Sequence, residues 1–167
     1  EEIKKVAKKY KMNEVYKLNF QTTRLDNIPL GDIITKISEV FNKVEPEIIY
    51  LPNKNDIHSD HKVTFEAVMS CTKSFRYPSI KRILSYETIS ETEFAPPIAG
   101  NIFQPNCFSD ITNYMDEKLS ILKNYESEIG KHPFPRSIKN VKALATYRGG
   151  IAGVKYAESF MLLKEIF

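Results

Sequence analysis

Ile48-Ile-Tyr-Leu51, closed by Pro52 and followed shortly by Asp56-Ile-His-Ser-Asp-His61, is the stretch on which the fold turns. Four apolar residues in a row, without polar alternation, suit a strand buried on both faces of a parallel sheet. Asn53 to Ser59 reads as a polar loop, and Ser59 or Asp60 is expected to cap the helix that follows. The buried side of that helix is expected to carry Phe65, Val68, Met69 and Thr72. In an open parallel sheet, ligands bind outside the carboxyl ends of the strands. The loop after Leu51 lies at such an end, so its two histidines and two aspartates are the first residues to test for chemistry.

Working outward, Ile33, Ile34, Ile37, Val40, Phe41 and Val44 form a helical stripe stopped by Pro46. Upstream of it, Val15 to Phe20 is expected to be a short strand, and Gln21 to Pro29 a loop. Ile3, Val6, Ala7 and Tyr10 mark an opening helix with one buried stripe. Downstream, Ile80 to Tyr86 reads as a strand, and Glu87 to Asn106 as a Pro-rich irregular stretch with an edge strand. Asp110 or Thr112 is expected to cap a helix running past Ile129 to Gly130. His132-Pro-Phe-Pro135 reads as a turn, Ile138 to Ala145 as a helix, and Gly149, Gly150 and Gly153 as breakers. The periodicity of Phe160 to Ile166 fits strand and helix alike. The alternation of helices and strands predicts an α/β fold: a Rossmann-like, mostly parallel sheet with helices on both faces. It starts with a helix, whereas parallel sheets grow by strand–helix–strand units. A first strand is therefore expected upstream of Glu1.

At 167 residues, 42% apolar and 27% charged, the chain is sized for one soluble domain with a real core. A net charge of +3 with scattered lysines argues against a nucleic-acid partner. Lys4, Lys5, Lys8, Lys9 and Lys11 read as the wet face of the opening helix. Cys71 and Cys107 lack a CxxC partner, which makes a reduced, cytoplasmic protein the expectation, with Cys71 in the core. No 18-residue apolar run and no apolar h-region occur, so neither a membrane span nor a signal peptide is expected.

Asp56, His58, Asp60 and His61 stand just before a helix N-terminus. Imidazole suits zinc, and a neighbouring carboxylate can orient the ring through its other nitrogen. Three ligands within four residues at a turn would crowd one ion. The metal reading therefore takes one ligand from the cluster and gives its neighbours supporting and acid–base roles. The competing reading is a polar loop with two solvated histidines. Arg24 and Asp26 could grip a sugar hydroxyl or phosphate, or be a surface pair. Arg148 could face an anion, or serve as a helix C-terminal cation. His132 is a turn residue or lines a site mouth. No GxSxG, GxGxxG or Walker A motif is present.

The segment Tyr50-Leu-Pro-x-x-x-Asp-x-His-x-Asp-His61 resembles the second signature of the PIG-L/LmbE-like N-acetylglucosaminyl deacetylase family, in its bacterial sugar de-N-acetylase branch. Phe20-Gln-Thr-Thr-Arg-Leu-Asp26, Tyr86-Glu-Thr88, Phe103-x-Pro-Asn106 with Asp110-Ile111, Lys118 to Glu128, His132 to Ser137, Arg148-Gly149 and Tyr156 to Phe160 follow in the family's order. The resemblance implies a single deacetylase domain over 1–167 with a Rossmann-like fold and one zinc ion. It also implies hydrolysis of the N-acetyl group of an amino sugar or its glycoconjugate. His61 would be the metal ligand. His58 would stabilise the oxyanion or protonate the leaving amine, and Asp60 would orient His58. Arg24, Asp26 and Arg148 are the residues assigned to substrate, and a homo-oligomer is left open. The family's first motif, of the form His-Pro-Asp-Asp-Glu, supplies two zinc ligands and the general base. It is missing from these residues and is expected upstream of Glu1, so the chain alone is expected to be inactive. A sugar-binding or assembly protein that kept the fold without the metal is the alternative from another class. A nucleotide-binding domain of a different enzyme is a second.

Overall fold

The computed structural model describes residues 1–98 and 100–167. Residue 99, within the stretch read as Pro-rich and irregular, lies outside the described residues. The chain divides into two compact units, Glu1–Lys17 with Phe108–Ser159 and Leu18–Cys107 with Phe160–Phe167.

The unit that contains Asp56 to His61 is built on strands β1 (Ile48–Pro52) and β2 (Arg82–Tyr86), paired in parallel with Leu51 opposite Ser85. Two helices cover one face of that pair. Helix α2 (Leu30–Val44) ends where Glu45 turns left-handed, at φ 47°, just ahead of Pro46. Helix α3 (Ser59–Ser70) buries Ala67, and Cys71 just past its end, against Ile33 and Ile37 of α2. Phe41, Phe65, Val68 and Met69 then pack onto Ile49, Leu51, Ile80 and Ile83 of the sheet. Small residues at Ala67 and Cys71 let the two helices approach closely. The buried stripe of α3 is therefore centred on Ala67, with Phe65, Val68 and Met69 only partly covered.

Strand β1 differs from the expectation of burial on both faces. Ile48 and Tyr50 are 46% and 56% exposed, while Ile49 and Leu51 are buried. The strand order is β1-β2-β4-β3, so β1 is an edge strand, and only its helix-covered face is closed. On its other face the Tyr50 ring meets that of Phe160, with centroids 5.3 Å apart.

The sheet is mixed rather than mostly parallel. Strand β4 (Ala157–Glu165) runs antiparallel to β2, with an irregularity between Ile83 and Leu84. Residues 160–166 are thus strand except for Ile166. Beside β4 stands β3 (Cys107–Asp110), flanked by hydrogen bonds from Asn106 N to Phe160 O and from Ile111 N to Tyr156 O. Partner numbers fall as the chain advances, which is an antiparallel progression.

Three other expectations are corrected. Val15 to Phe20 is not a strand: Asn19 takes φ 57°, which breaks the extended run, and Leu18 and Phe20 instead pack onto the α2–α3 cluster. No strand forms among the described residues of 87–106; β3 begins after them. The long helix toward Gly130 stops early. A 3-10 turn at Thr112–Tyr114 leads into α4 (Met115–Leu122), and turns follow. Neither Asp110 nor Thr112 caps it: Ile111 is the N-cap of the 3-10 turn and Tyr114 that of α4, both without a side-chain cap. The Asp110 carboxylate accepts from Thr112 N at 2.8 Å, and its bonds to the Thr112 side chain and backbone hold its carboxyl below the ordinary range.

The other unit holds α1 (Glu2–Lys9), α4 and α5 (Ile138–Ala152). On α1 only Val6 is buried, and Ile3 and Tyr10 remain exposed. Ser137 caps α5, accepting from Asn140 N. Gly149 and Gly150 lie inside α5 and do not break it; Gly153, at φ 72°, ends it. Gly149 is required by close approach, since a Cβ there would stand 2.6 Å from Val154 O and 2.7 Å from Lys155 O. His132 sits in the turn before this helix.

Candidate active site

The loop after β1 and the turn after β2 meet at the carboxyl ends of the two parallel strands. Asp56 is fully buried between them. Its Oδ2 lies 2.7 Å from His61 Nδ1, and its Oδ1 accepts from the Thr92 hydroxyl at 2.7 Å. Thr92 Oγ1 in turn accepts from Thr88 N at 2.7 Å. The turn is closed by Thr92 N donating to Thr88 O, and Ile57 N donates to Glu91 O, which ties the two segments together. A buried carboxylate is costly unless its lone pairs are satisfied. Here both oxygens have partners.

His58, not Ser59 or Asp60, is the N-cap of α3: its Nδ1 accepts from Asp60 N at 3.1 Å. The two histidine rings stack with centroids 5.0 Å apart and planes 18° from parallel. Their Nδ1 atoms do opposite things. An ionised carboxylate only accepts, so His61 Nδ1 donates to Asp56, and the neutral ring carries its lone pair on Nε2. A backbone amide only donates, so His58 Nδ1 accepts, and the neutral ring carries its proton on Nε2. One histidine therefore presents a metal-type donor atom and the other an N–H.

The carboxylate of Asp60 faces away from this pair. Its oxygens accept from Thr23 N at 2.7 Å and Leu25 N at 3.2 Å, the two amides that flank Arg24. Asp60 thus touches His58 through its backbone and holds the 21–27 loop with its side chain. Arg24 and Asp26 are exposed on that loop, Asp26 within a 3-10 turn at Leu25–Asn27. Arg148 lies on α5 in the other unit, its guanidinium 5.4 Å from the Tyr147 ring centroid. Cys71 is buried, its sulfur 3.4 Å from Ser38 Oγ, as expected of a core residue.

Thr92, and the pairing of Asp56 with His61, were not singled out in the sequence. Thr92 is 36 residues from Asp56 in an irregular segment, and no local spacing marks it. Asn53 Nδ2, Ser85 Oγ and Thr88 Oγ1 are further buried polar atoms at or just past the ends of β1 and β2, without hydrogen-bond partners among the described residues. Burial, and then Asp56, hold the Tyr86 phenol above its ordinary range.

The donor chemistry of His61 Nε2 fits one coordination position of a zinc ion. No group of three His, Cys, Asp or Glu among the described residues makes a complete metal site. No helix among them is long and apolar enough to cross a membrane.

Residues 1–72 match the PIG-L family model, described as GlcNAc-PI de-N-acetylase. Over its whole length the chain is 25% identical to a diacetylchitobiose deacetylase from Thermococcus kodakarensis, spanning 63% of that protein. In fold it is similar to the conserved protein TT1542 from Thermus thermophilus, with a TM-score of 0.76 at 19% identity, covering 99% of this chain and 73% of that one. The N,N'-diacetylchitobiose deacetylase from Pyrococcus horikoshii gives a TM-score of 0.74 at 20% identity, covering 98% of this chain and 62% of that one. The first 72 residues thus resemble the PIG-L de-N-acetylase family, and the whole chain is distantly similar to these deacetylases.

Proposed function

We propose that this chain is part of a zinc-dependent deacetylase that hydrolyses the N-acetyl group of an amino sugar or its glycoconjugate. The observation that carries this reading is the opposite polarity of the two stacked histidines. Metal-assisted amide hydrolysis uses a donor atom for the metal and, beside it, an N–H aimed at developing negative charge. His61 and His58 supply that pair. The match of residues 1–72 to the PIG-L model and the similarity to a diacetylchitobiose deacetylase support an N-acetylated sugar as the substrate class.

In this reading His61, kept in place by Asp56, would hold the metal through Nε2. The chemistry a zinc ion would supply there is polarisation of the acetyl carbonyl and acidification of a water molecule. His58, with Nδ1 engaged by Asp60 N, would stabilise the oxyanion by donating a hydrogen bond from its Nε2–H. Asp60 positions the loop that carries Arg24 and Asp26, the candidates for gripping sugar hydroxyls. The remaining ligands and the general base are assigned to a segment upstream of Glu1.

The test is to express the protein with its upstream coding region, load it with zinc and measure acetate released from N-acetylglucosamine derivatives. Stoichiometric metal and acetate release are expected. A protein that holds no metal and releases no acetate would end the enzyme reading in favour of a sugar-binding or assembly role.

A further inference from the structure

We infer that Thr92 is a positioning residue that sets, through Asp56, which nitrogen of His61 is left to bind a metal. The inference rests on the assignment of His61 as a ligand, but its physical content lies in this chain alone. The chain of hydrogen bonds begins at a group with one possible role. Thr88 N–H can only donate, and it donates to Thr92 Oγ1 at 2.7 Å. The hydroxyl has a single proton, so with this lone pair engaged it is free to give that proton to Asp56 Oδ1, also at 2.7 Å. Asp56 Oδ1 is then an acceptor, and the carboxyl group is held with Oδ2 facing His61 Nδ1 at 2.7 Å. The neutral imidazole places its proton on Nδ1 and its lone pair on Nε2.

The turn that carries Thr92 is itself braced. Glu91 N and Thr92 N both donate to Thr88 O, and Ser90 adopts φ 81° to close it. The far end of the chain of bonds is thus a backbone turn after β2, and the near end is the first turn of α3 after β1. Asp56 is fully buried, so no solvent replaces Thr92 as its second donor. Loss of the hydroxyl leaves both Asp56 Oδ1 and Thr88 N–H without partners. The carboxylate is then free to rotate away from the orientation that selects Nδ1–H.

The experiment reads the tautomer directly, with no metal and no substrate. Long-range proton–nitrogen NMR on the labelled 167-residue chain, at a pH where its spectra show neutral imidazole, separates Nδ1–H from Nε2–H at His61. The unmodified chain is expected to be predominantly Nδ1–H. In Thr92→Val the ratio of Nδ1–H to Nε2–H is expected to fall about tenfold, the effect of losing one hydrogen bond to a carboxylate. Thr92→Ser, which keeps the hydroxyl, is expected to hold the unmodified ratio. An Nε2–H ring in the unmodified chain, an unchanged ratio in a folded Thr92→Val, or a Thr92→Ser that behaves like valine would each overturn the inference. Should Thr92→Val not fold, the unmodified chain still decides it: the Thr92 hydroxyl proton is expected to exchange slowly enough to be seen, and solvent-rate exchange would overturn it. The absence of acetate release in the longer protein would leave these tautomers unchanged, so a failure of the deacetylase reading and a failure of this one are separate results.

Discussion

At the scale of single residues, the two histidines of the cluster are predicted to separate by function. In the upstream-extended protein, His61→Ala should abolish zinc retention, read by metal analysis after dialysis. His58→Ala should retain zinc and lose turnover by roughly 10²- to 10³-fold, the usual contribution of one oxyanion hydrogen-bond donor. The reverse pattern would exchange the two roles. Asp56 is the partner that makes His61 usable, and Asp56→Asn should weaken zinc binding by about 10- to 100-fold, as loss of an outer partner commonly does. Tyr86 offers a pH handle on the same spot. Burial and Asp56 raise its phenol in the folded chain, so the folded state keeps a proton that the unfolded state gives up. Stability from this group is intact below about pH 10, the ordinary phenol value, and is lost as the pH rises through the raised one. Urea unfolding at increasing alkaline pH should therefore show a decline that is smaller in Tyr86→Phe. An equal decline in both would mean Tyr86 is not the group responsible.

At the scale of elements, two adjacent glycines in α5 make a controlled comparison. Gly149→Ala would drive a methyl into the carbonyls of Val154 and Lys155, backbone atoms that cannot swing aside. It should cost about 1–3 kcal/mol, as overpacking does. Gly150 has nothing within 4 Å of an added Cβ, and Gly150→Ala should gain about 0.5–1 kcal/mol from helix propensity. Thermal unfolding of the two variants should move in opposite directions; a shared direction would refute the packing account. The loop at 21–27 is a second element, fastened by Leu25 on the α2–α3 cluster and by the Asp60 carboxylate. Asp60 grips the amides of Thr23 and Leu25 on either side of Arg24. Asp60→Ala should speed hydrogen exchange at those two amides while leaving α2 protected. The opening helix and β1 show how local pattern misleads at this scale. Ile3, Tyr10, Ile48 and Tyr50 are apolar at the expected period, yet exposed. Periodicity marks what an element can bury, and the neighbours decide what it does bury.

For the whole molecule, the chain spans 63% of the length of its curated relative, and its metal chemistry is predicted to be a property of the longer protein. One imidazole ligand holds zinc weakly. Stoichiometric zinc should leave the melting temperature of the 167-residue chain unchanged and raise that of the upstream-extended protein, because ligand that binds only the folded state stabilises it. A clear zinc-dependent rise in the shorter chain would show that its own residues complete a site.

What the sequence by itself determined is the local part. The apolar run at 48–51, the stripe at 33–44 and the capped start of α3 are short-range patterns, set by side-chain spacing and backbone propensity, and each forms close to where it was read. The histidine cluster at a strand's carboxyl end was legible for the same reason. Only the tertiary structure decided that β4 enters the sheet antiparallel, that β1 stands at its edge, and that Asn19 bends a promising strand out of line. It alone also decided that Asp56, with Thr92 behind it, carries the hydrogen bond to His61, and that the Asp60 carboxylate, expected to orient His58, accepts from the Thr23 and Leu25 amides. Those facts depend on which distant segment arrives at a given point. A hydrogen bond between residues 36 apart leaves no periodicity in either segment, so it becomes readable only once the chain has brought them together.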